Sequence, residues 1–335
     1  ATTAASGYTS QVRNAGHIRN RGYEIQLGAV PIQTSKGFRW NLDLNYGANS
    51  SKVVKLDDEG LITSYQLYSS GIQILTSVGE AYGTLFGTSY VRDANGNVVV
   101  DANGLPKIST TNKTLGKFTP DWTGGISNTF SYRSLSLSFL IDASVGGSIF
   151  SNTNKTGKYT GVLANTLSGR DAEHGGLWYY TAAMGNNVRL PESPSYSVSS
   201  DGLYYAQVNG QSTRVYQDGI MVEGVTESGS KNEEVVSAEK YYHRIYSIAE
   251  ANVYDASYVK LREVALGYRL PRLWTQKLHL QEASVTLTGR NLWTIYKSVP
   301  NIDPESALTT GNAQGVEAYS LPTTRSFGVN LSVKF

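Results

Sequence analysis

The chain has 335 residues, with 29 Lys and Arg against 27 Asp and Glu, so its net charge of +2 points neither to nucleic acid nor to a polybasic membrane patch. It holds 34 Gly, 23 Tyr and no Cys, which removes disulfides, thiolate catalysis and zinc–thiolate sites together. No apolar run reaches the roughly 18 residues of a membrane helix, which leaves a barrel of half-apolar strands open.

Ala1-Thr2-Thr3-Ala4-Ala5 carries no initiator Met, basic region or apolar export core. If the chain is exported, it is expected to be cleaved, truncated or partial in this form. Alternation with period 2 then begins. Tyr23, Ile25, Leu27 and Ala29 share one face of a strand over about 22–31. Phe38, Trp40, Leu42, Leu44 and Tyr46 share another, and Trp122, Ile126, Phe130 and Tyr132 a third. After the tight Arg133-Ser134 connection, Leu135, Leu137, Phe139, Ile141, Ala143 and Val145 repeat the pattern. Val264, Leu266, Tyr268 and Leu270 alternate, as do Ala283, Val285, Leu287 and Trp293. Val259 and Leu261 lie on the opposite parity from Val264, so a β-bulge near Arg262-Glu263 is expected, or else a strand that starts later. The seventh strand is the terminal Arg325–Phe335, where Phe327, Val329, Leu331, Val333 and Phe335 face one way and Ser326, Gly328, Asn330, Ser332 and Lys334 the other.

The connections alternate strictly in length. Short ones lie at 31–37, 133–134 and 271–281; long ones run over about 47–120, 147–255 and 297–324. Short turns on one side and long loops on the other are the habit of outer-membrane barrels. The reading is all-β: a transmembrane antiparallel β-barrel portion with long extracellular loops and a C-terminal end on the periplasmic side. Seven strands do not close a bacterial barrel, and an open edge in lipid leaves costly unpaired backbone groups. The first and last strands are thus expected to need neighbours from outside this sequence. Trp40, Tyr46, Trp122, Tyr132, Tyr268 and Trp293 lie near strand ends and read as an interfacial girdle, or as ordinary strand aromatics.

Several stretches together resemble one family. They are Asn14-Ala-Gly-His-Ile-Arg-Asn20-Arg-Gly-Tyr-Glu24, Gly79-Glu-Ala-Tyr-Gly83, Arg92-Asp-Ala-Asn-Gly-Asn97, Pro120-Asp-Trp-Thr-Gly-Gly125 and Asn128-Thr-Phe-Ser-Tyr132. Asp255-Ala-Ser-Tyr-Val-Lys-Leu-Arg-Glu263, Leu266-Gly-Tyr268, Gly289-Arg-Asn-Leu292, Asp303-Pro-Glu305 and Leu321-Pro-Thr-Thr-Arg325 follow. In this order and spacing they resemble the C-terminal part of the SusC/RagA-like TonB-dependent outer-membrane transporters. The resemblance implies that residues 1–335 are the C-terminal part of one barrel domain, holding the last seven of 22 strands. The plug domain, the TonB-binding segment and the earlier strands would lie outside this sequence. It further implies a Bacteroidetes-type outer-membrane location, a SusD-like surface lipoprotein as partner, and TonB-driven import of glycans or oligopeptides without cofactor or catalysis.

The second long loop holds eleven of the 23 tyrosines. Trp178, Tyr179, Tyr180, Tyr204 and Tyr205 are the candidate ligand contacts, because aromatic faces stack on sugar rings and phenols add a hydrogen bond. The competing reading is that these rings pack the loop on itself and on a lid, as is also open for the Tyr241-Tyr242 pair. Asp93 begins like a calcium loop, but position 12 is Gly104 rather than the bidentate Glu, and Asn95-Gly96 reads better as a hairpin turn. Asp303 and Glu305 read as loop structure; as a glycan hydrolase's carboxylate pair they would define an enzyme instead. His17, His174, His243 and His279 are scattered, so neither metal binding nor a triad is expected. A non-transporting cell-surface carbohydrate-binding or structural β-protein is the alternative reading of the whole chain.

Overall fold

An extended strand with one greasy and one polar side is stable in a bilayer only when every backbone N–H and C=O finds a neighbouring strand. The computed structural model, which describes residues 5, 7, 16–277 and 279–335, shows that arrangement. The Ala1–Ala4 and Asn14-Ala15 stretches lie outside the described residues. Strands β1 (His17–Gln33), β2 (Phe38–Lys55), β3 (Trp122–Tyr132), β4 (Leu135–Val145), β5 (Tyr258–Arg269), β6 (Glu282–Lys297) and β7 (Ser326–Lys334) form one antiparallel sheet in sequence order. All seven expected strands are present, and β1 and β7 are the edges of the sheet.

The register carries the apolar residues into rows. Leu27 pairs with Leu44, Leu44 with Ile126, Ile126 with Ile141, Ile141 with Leu261 and Leu261 with Trp293. A second row runs Trp40, Phe130, Leu137, Leu266, Leu287, Val329. These side chains stay open to the outside of the sheet: Leu27 is 60% exposed, Leu287 51% and Val329 72%. An apolar face of this extent belongs against lipid. The opposite face carries Asp43, Asn45, Ser127, Thr129, Ser138, Asp142 and Thr286, the mark of a watery lumen.

The bulge falls where the parity break places it. Leu261 pairs with Ile141 and Glu263 with Leu140, so Arg262 is the extra residue. The shift returns Val264 and Leu266 to the face of Val259 and Leu261. A second irregularity between Ala29 and Ile32 contains Pro31, whose missing N–H suits a break in the ladder. The 133–134 turn closes with Arg133 at φ 55°, a conformation usually left to glycine in two-residue hairpins. The third short connection contains helix α3 (Arg272–Lys277). It follows, in chain order, α1 (Asn152–Thr160) and α2 (Ala238–Tyr246) of the second long loop.

Strand ends depart from the sequence reading. β1 begins at His17 and β2 continues to Lys55, beyond the expected 22 and 47. The two continue as a paired ribbon past the apolar rows, where most residues are polar and the adjacent Val53 and Val54 fall on opposite faces, so alternation carries no signal. The aromatics expected near strand ends form two levels. Trp122 and Tyr46 pack at 5.7 Å at the long-loop end and Trp40, Tyr132 and Tyr268 lie toward the short turns, while Trp293 sits between them in the row of Ile126. From Trp122 to Tyr132 the strand advances about 33 Å at roughly 3.3 Å per residue, or about 25 Å along the membrane normal at the usual ~40° tilt. That is the height of the apolar band of such barrels. Asn128 interrupts the lipid-facing rows between Leu42 and Phe139, and its Oδ1 accepts a hydrogen bond from Trp40 Nε1 at 3.1 Å. The indole satisfies a polar group that lipid would not.

All three long connections leave the same end of the sheet and fold together. The first contributes a four-stranded sheet (Ser64–Ser69, Gln73–Ser77, Thr84–Gly87 and Lys113–Lys117). The second contributes a six-stranded sheet, α1 and α2. The third lays Val316–Glu317 parallel to Ser148–Ser151 of the second. One core joins them: Ile72, Ile74 and Leu85 from the first loop, Phe150 and Ala249 from the second, and Val316 from the third. Gly83, with φ 76°, sits under Phe118 so closely that a Cβ there would stand 2.0 Å from the ring. The three loops are one folded cap.

Candidate functional site

Two groups of polar side chains stand out, one on the lumen wall and one inside the cap. On the wall, Lys260 is on the lumen row of β5 because it pairs with Asp142 of β4. The bulge lets Arg262 reach the same side, where its Nε donates to Asp142 Oδ1 at 2.7 Å. Both cations meet the third loop. Lys260 Nζ donates to Asp303 at 2.6 Å and to Glu305 at 2.5 Å, while Arg262 binds Glu305 with both terminal nitrogens. Tyr258 donates to Glu305 at 2.9 Å, and Thr323 donates its hydroxyl to Asp303. Burial alone would raise both carboxyls. Lys260 and Thr323 instead hold Asp303 down to about 2, and Arg262 and Lys260 hold Glu305 below its usual range. Two carboxylates this firmly ionised and paired cannot supply the proton of a glycosidase acid. They lash the third loop to the wall.

The five candidate aromatics share one sheet but not one face. Trp178 stacks on Tyr196 at 5.1 Å and meets Tyr204 edge-on at 5.8 Å, over Ala206 and Val215, with Tyr180 packed against the same cluster. Tyr179 is on the reverse face, stacked on Tyr216 at 5.1 Å and donating to Asp218 at 3.2 Å. Tyr205, opposite Arg214 in the hairpin, also lies on that face. Trp178 and Tyr179 are 7% and 4% exposed, so their rings are fully engaged within the cap. Tyr180, Tyr204 and Tyr205 are half-buried.

A cavity of about 720 Å³ lies elsewhere, between the first and second loops. It is lined by Tyr90 and Val98 from the first loop and by Lys158, Tyr241, Tyr242 and Ile245 from the second. Ser151 caps α1 by accepting from Asn154 N, and Gly161 ends it at φ 69°, which sets Lys158 on the inner side of its last turn. Ser237 caps α2, and Arg244 anchors that helix to the first loop through Asp101 at 2.9 Å. Lys158 is 8% exposed, and burial holds its ammonium down to about 8. A smaller cavity of 360 Å³ shares Lys158 and Tyr242 with the first. The Tyr241-Tyr242 pair was visible in the sequence; Tyr90 was not, because nothing local marks a side chain whose partners are some 150 residues away.

The remaining candidates are structural. Asp93 accepts from the backbone N–H groups of Asn95 and Asn97 in a turn where Gly96, but not Asn95, takes positive φ. His174 binds Asp171 at 2.7 Å, and His243 stacks on Tyr159 at 4.1 Å. Among the described residues no cluster of His, Asp or Glu has the makings of a metal site.

No family model matches the chain. Curated relatives do. TonB-dependent receptor P3 of Formosa agariphila is 26% identical over 358 aligned residues, covering 98% of this chain and 30% of its own length. TonB-dependent receptor P26 of the same organism is 25% identical with the same coverage. Among solved structures, the RagAB peptide transporter superposes with a TM-score of 0.56 at 20% identity, covering all of this chain and 31% of its own. Nearly the whole chain is thus similar to TonB-dependent receptors, and the resemblance to the SusC/RagA-like family holds in sequence and in fold. The RagAB importer in its open-open state gives 0.57 at 17% identity, a likeness of fold. The chain spans about 30% of the length of the curated relatives it matches. Its sheet is outer-membrane barrel wall, its location is the outer membrane, and its curated relatives are receptors and not enzymes.

Proposed function

We propose that this receptor chain supplies wall and outer cap to an active importer of oligopeptides or glycans, energised through TonB and closed from outside by a SusD-like lipoprotein. Residues 1–335 would then be one stretch of a single barrel domain, with plug, TonB-binding segment and further strands contributed by the rest of a longer polypeptide. The observation that carries the reading is the union of the three long loops into one cored cap over a lumen lined with small polar side chains. A cap of this kind offers a shaped upper surface to both cargo and lid. Of the five aromatic candidates, Tyr180, Tyr204 and Tyr205 keep accessible edges and are the ones assigned to cargo or lid contact.

The test uses the intact receptor in its native membrane. Labelled oligopeptides and oligosaccharides of matched size are offered to cells with and without functional TonB, and native mass spectrometry is run on the detergent-extracted particle. Uptake of one class that disappears without TonB, together with a co-purifying lipoprotein, is the expected result. Cargo binding with no TonB-dependent uptake of either class would make the protein a surface binder and end the import reading.

A further inference from the structure

The cavity between the first and second loops has an unequal supply of hydrogen-bonding groups. Lys158 has three N–H donors and spends two, on Ala251 O at 2.7 Å and Asn252 Oδ1 at 3.3 Å. Tyr90 and Tyr241 line the same space, and among the described residues neither hydroxyl has a hydrogen-bond partner. Burial raises both phenols, and the neighbouring Tyr241 adds to the effect on Tyr90, so both keep their protons. Tyr242 spends its proton on Asn165 O and Ser168 O, at 3.0 and 2.9 Å. The Lys158 ammonium also lies 5.3 Å over the ring of Tyr254, whose own hydroxyl is buried without a partner. What the cavity offers is therefore one spare N–H from a buried cation and two free O–H groups, beside an apolar side of Val98, Ile220 and Ile245. The acidic Glu223 on its lining is exposed and stands toward solvent.

A cation taken out of water needs a counter-charge, and phenol O–H groups that open into a cavity donate to whatever acceptor enters it. A neutral sugar hydroxyl can satisfy one donor but brings no charge. A phosphate dianion brings more charge than one ammonium balances. A carboxylate has one charge and about four lone-pair positions, which match the spare N–H and the two phenols. We propose that this cavity is a binding site for a small organic acid, held by its carboxylate against Lys158, Tyr90 and Tyr241 with its apolar part along Val98 and Ile245. The carboxylate can come from the C-terminus of a short peptide or from an acidic sugar. The site lies within one chain's cap and requires no transport, so it stands or falls apart from the import reading.

The experiment is calorimetric titration of the intact detergent-extracted receptor with alanyl-leucine and with its C-terminal amide, and with glucuronate and with glucose. One acid binds, and its neutral counterpart binds roughly tenfold to a hundredfold more weakly, the loss of one charge-assisted contact. Lys158→Met abolishes the gap between acid and neutral form. Tyr241→Phe removes only an unpartnered oxygen and weakens the acid several-fold at unchanged thermal stability, which keeps the test alive if Lys158→Met does not fold. Binding of the dipeptide assigns the peptide source and binding of glucuronate the sugar source. Equal affinity for acid and neutral forms, no binding of either acid, or an acid preference that survives in both variants overturns the proposal.

Discussion

The barrel wall and the outer cap are built from the same chain by opposite rules. In the wall each strand pairs with its sequence neighbour, and one alternation repeated seven times decides which side of every residue meets lipid. In the cap the core is assembled from Ile72, Leu85, Phe150, Ala249 and Val316, positions up to some 240 residues apart. The wall's stability is distributed along rows of similar contacts, so a single truncation there is absorbed locally. The cap's is concentrated at a few points where three loops meet. The difference teaches where a substitution will act on one strand and where it will act on everything outside the membrane.

The sharpest way to break this comparison is Phe150→Ala. Phe150 is fully buried where the three loops meet, and its loss costs about 3–5 kcal/mol. Limited proteolysis of the intact receptor should then cut all three long loops while the wall strands stay protected; cleavage confined to the second loop would show that the loops fold separately. Next comes Ile126→Arg, in the middle of the lipid-facing rows, at about 2–4 kcal/mol. Its control is Ser127→Arg on the lumen side, expected near zero, and unfolding in detergent measures both. Equal costs would mean that the two faces are misassigned.

Glu317→Gln should follow at roughly 1–3 kcal/mol. This fully buried carboxylate accepts from Ser151 and Thr153 hydroxyls at 2.7 and 2.6 Å and from Ser320 N at 3.0 Å, at the N-terminus of α1, where negative charge is favoured. Hydrogen exchange read at α1 checks it, and unaltered protection there would count against the carboxylate as the clasp. The smallest effect is acid release of the third loop. Asp303 titrates at about 2 in the folded state against 3.8 ordinarily, so its contribution is complete above about 4 and is lost as pH falls through 2. After solvent screening this amounts to about 1 kcal/mol. A spectroscopic label on the third loop should report loosening in that window for the native receptor and none for Asp303→Asn.

The same division explains what was legible in the sequence. Period-2 patterning reports a strand only while its two faces meet different surroundings, so Leu42, Leu44 and Tyr46 announced β2 and the non-alternating ribbon from Ala48 to Lys55 did not. The parity break at Leu261 and Val264 located the Arg262 bulge because a one-residue shift inverts every later side chain. Asp303 and Glu305 were readable as loop structure, but not their tether to Lys260 and Arg262, which only the strand register brings near. Composition drew the eye to Trp178 and Tyr179 in the loop richest in aromatics. Such rings are also the best material for a small core with few aliphatics, and these two became that core or its backing. Tyr90 and Lys158 share a cavity only because two loops fold against each other, and no local pattern encodes that meeting.

The joint core of the cap sets the grain at which this receptor can be re-engineered or can diverge. A loop lifted alone from a relative arrives without the other two thirds of its interior: a new second loop would bring its own residues in place of Phe150 and Ala249 to a first and third loop shaped for the old ones. The heritable module is the trio, and a change in the shape of the cap has to travel through all three loops at once or be made by side chains that leave their common interior untouched.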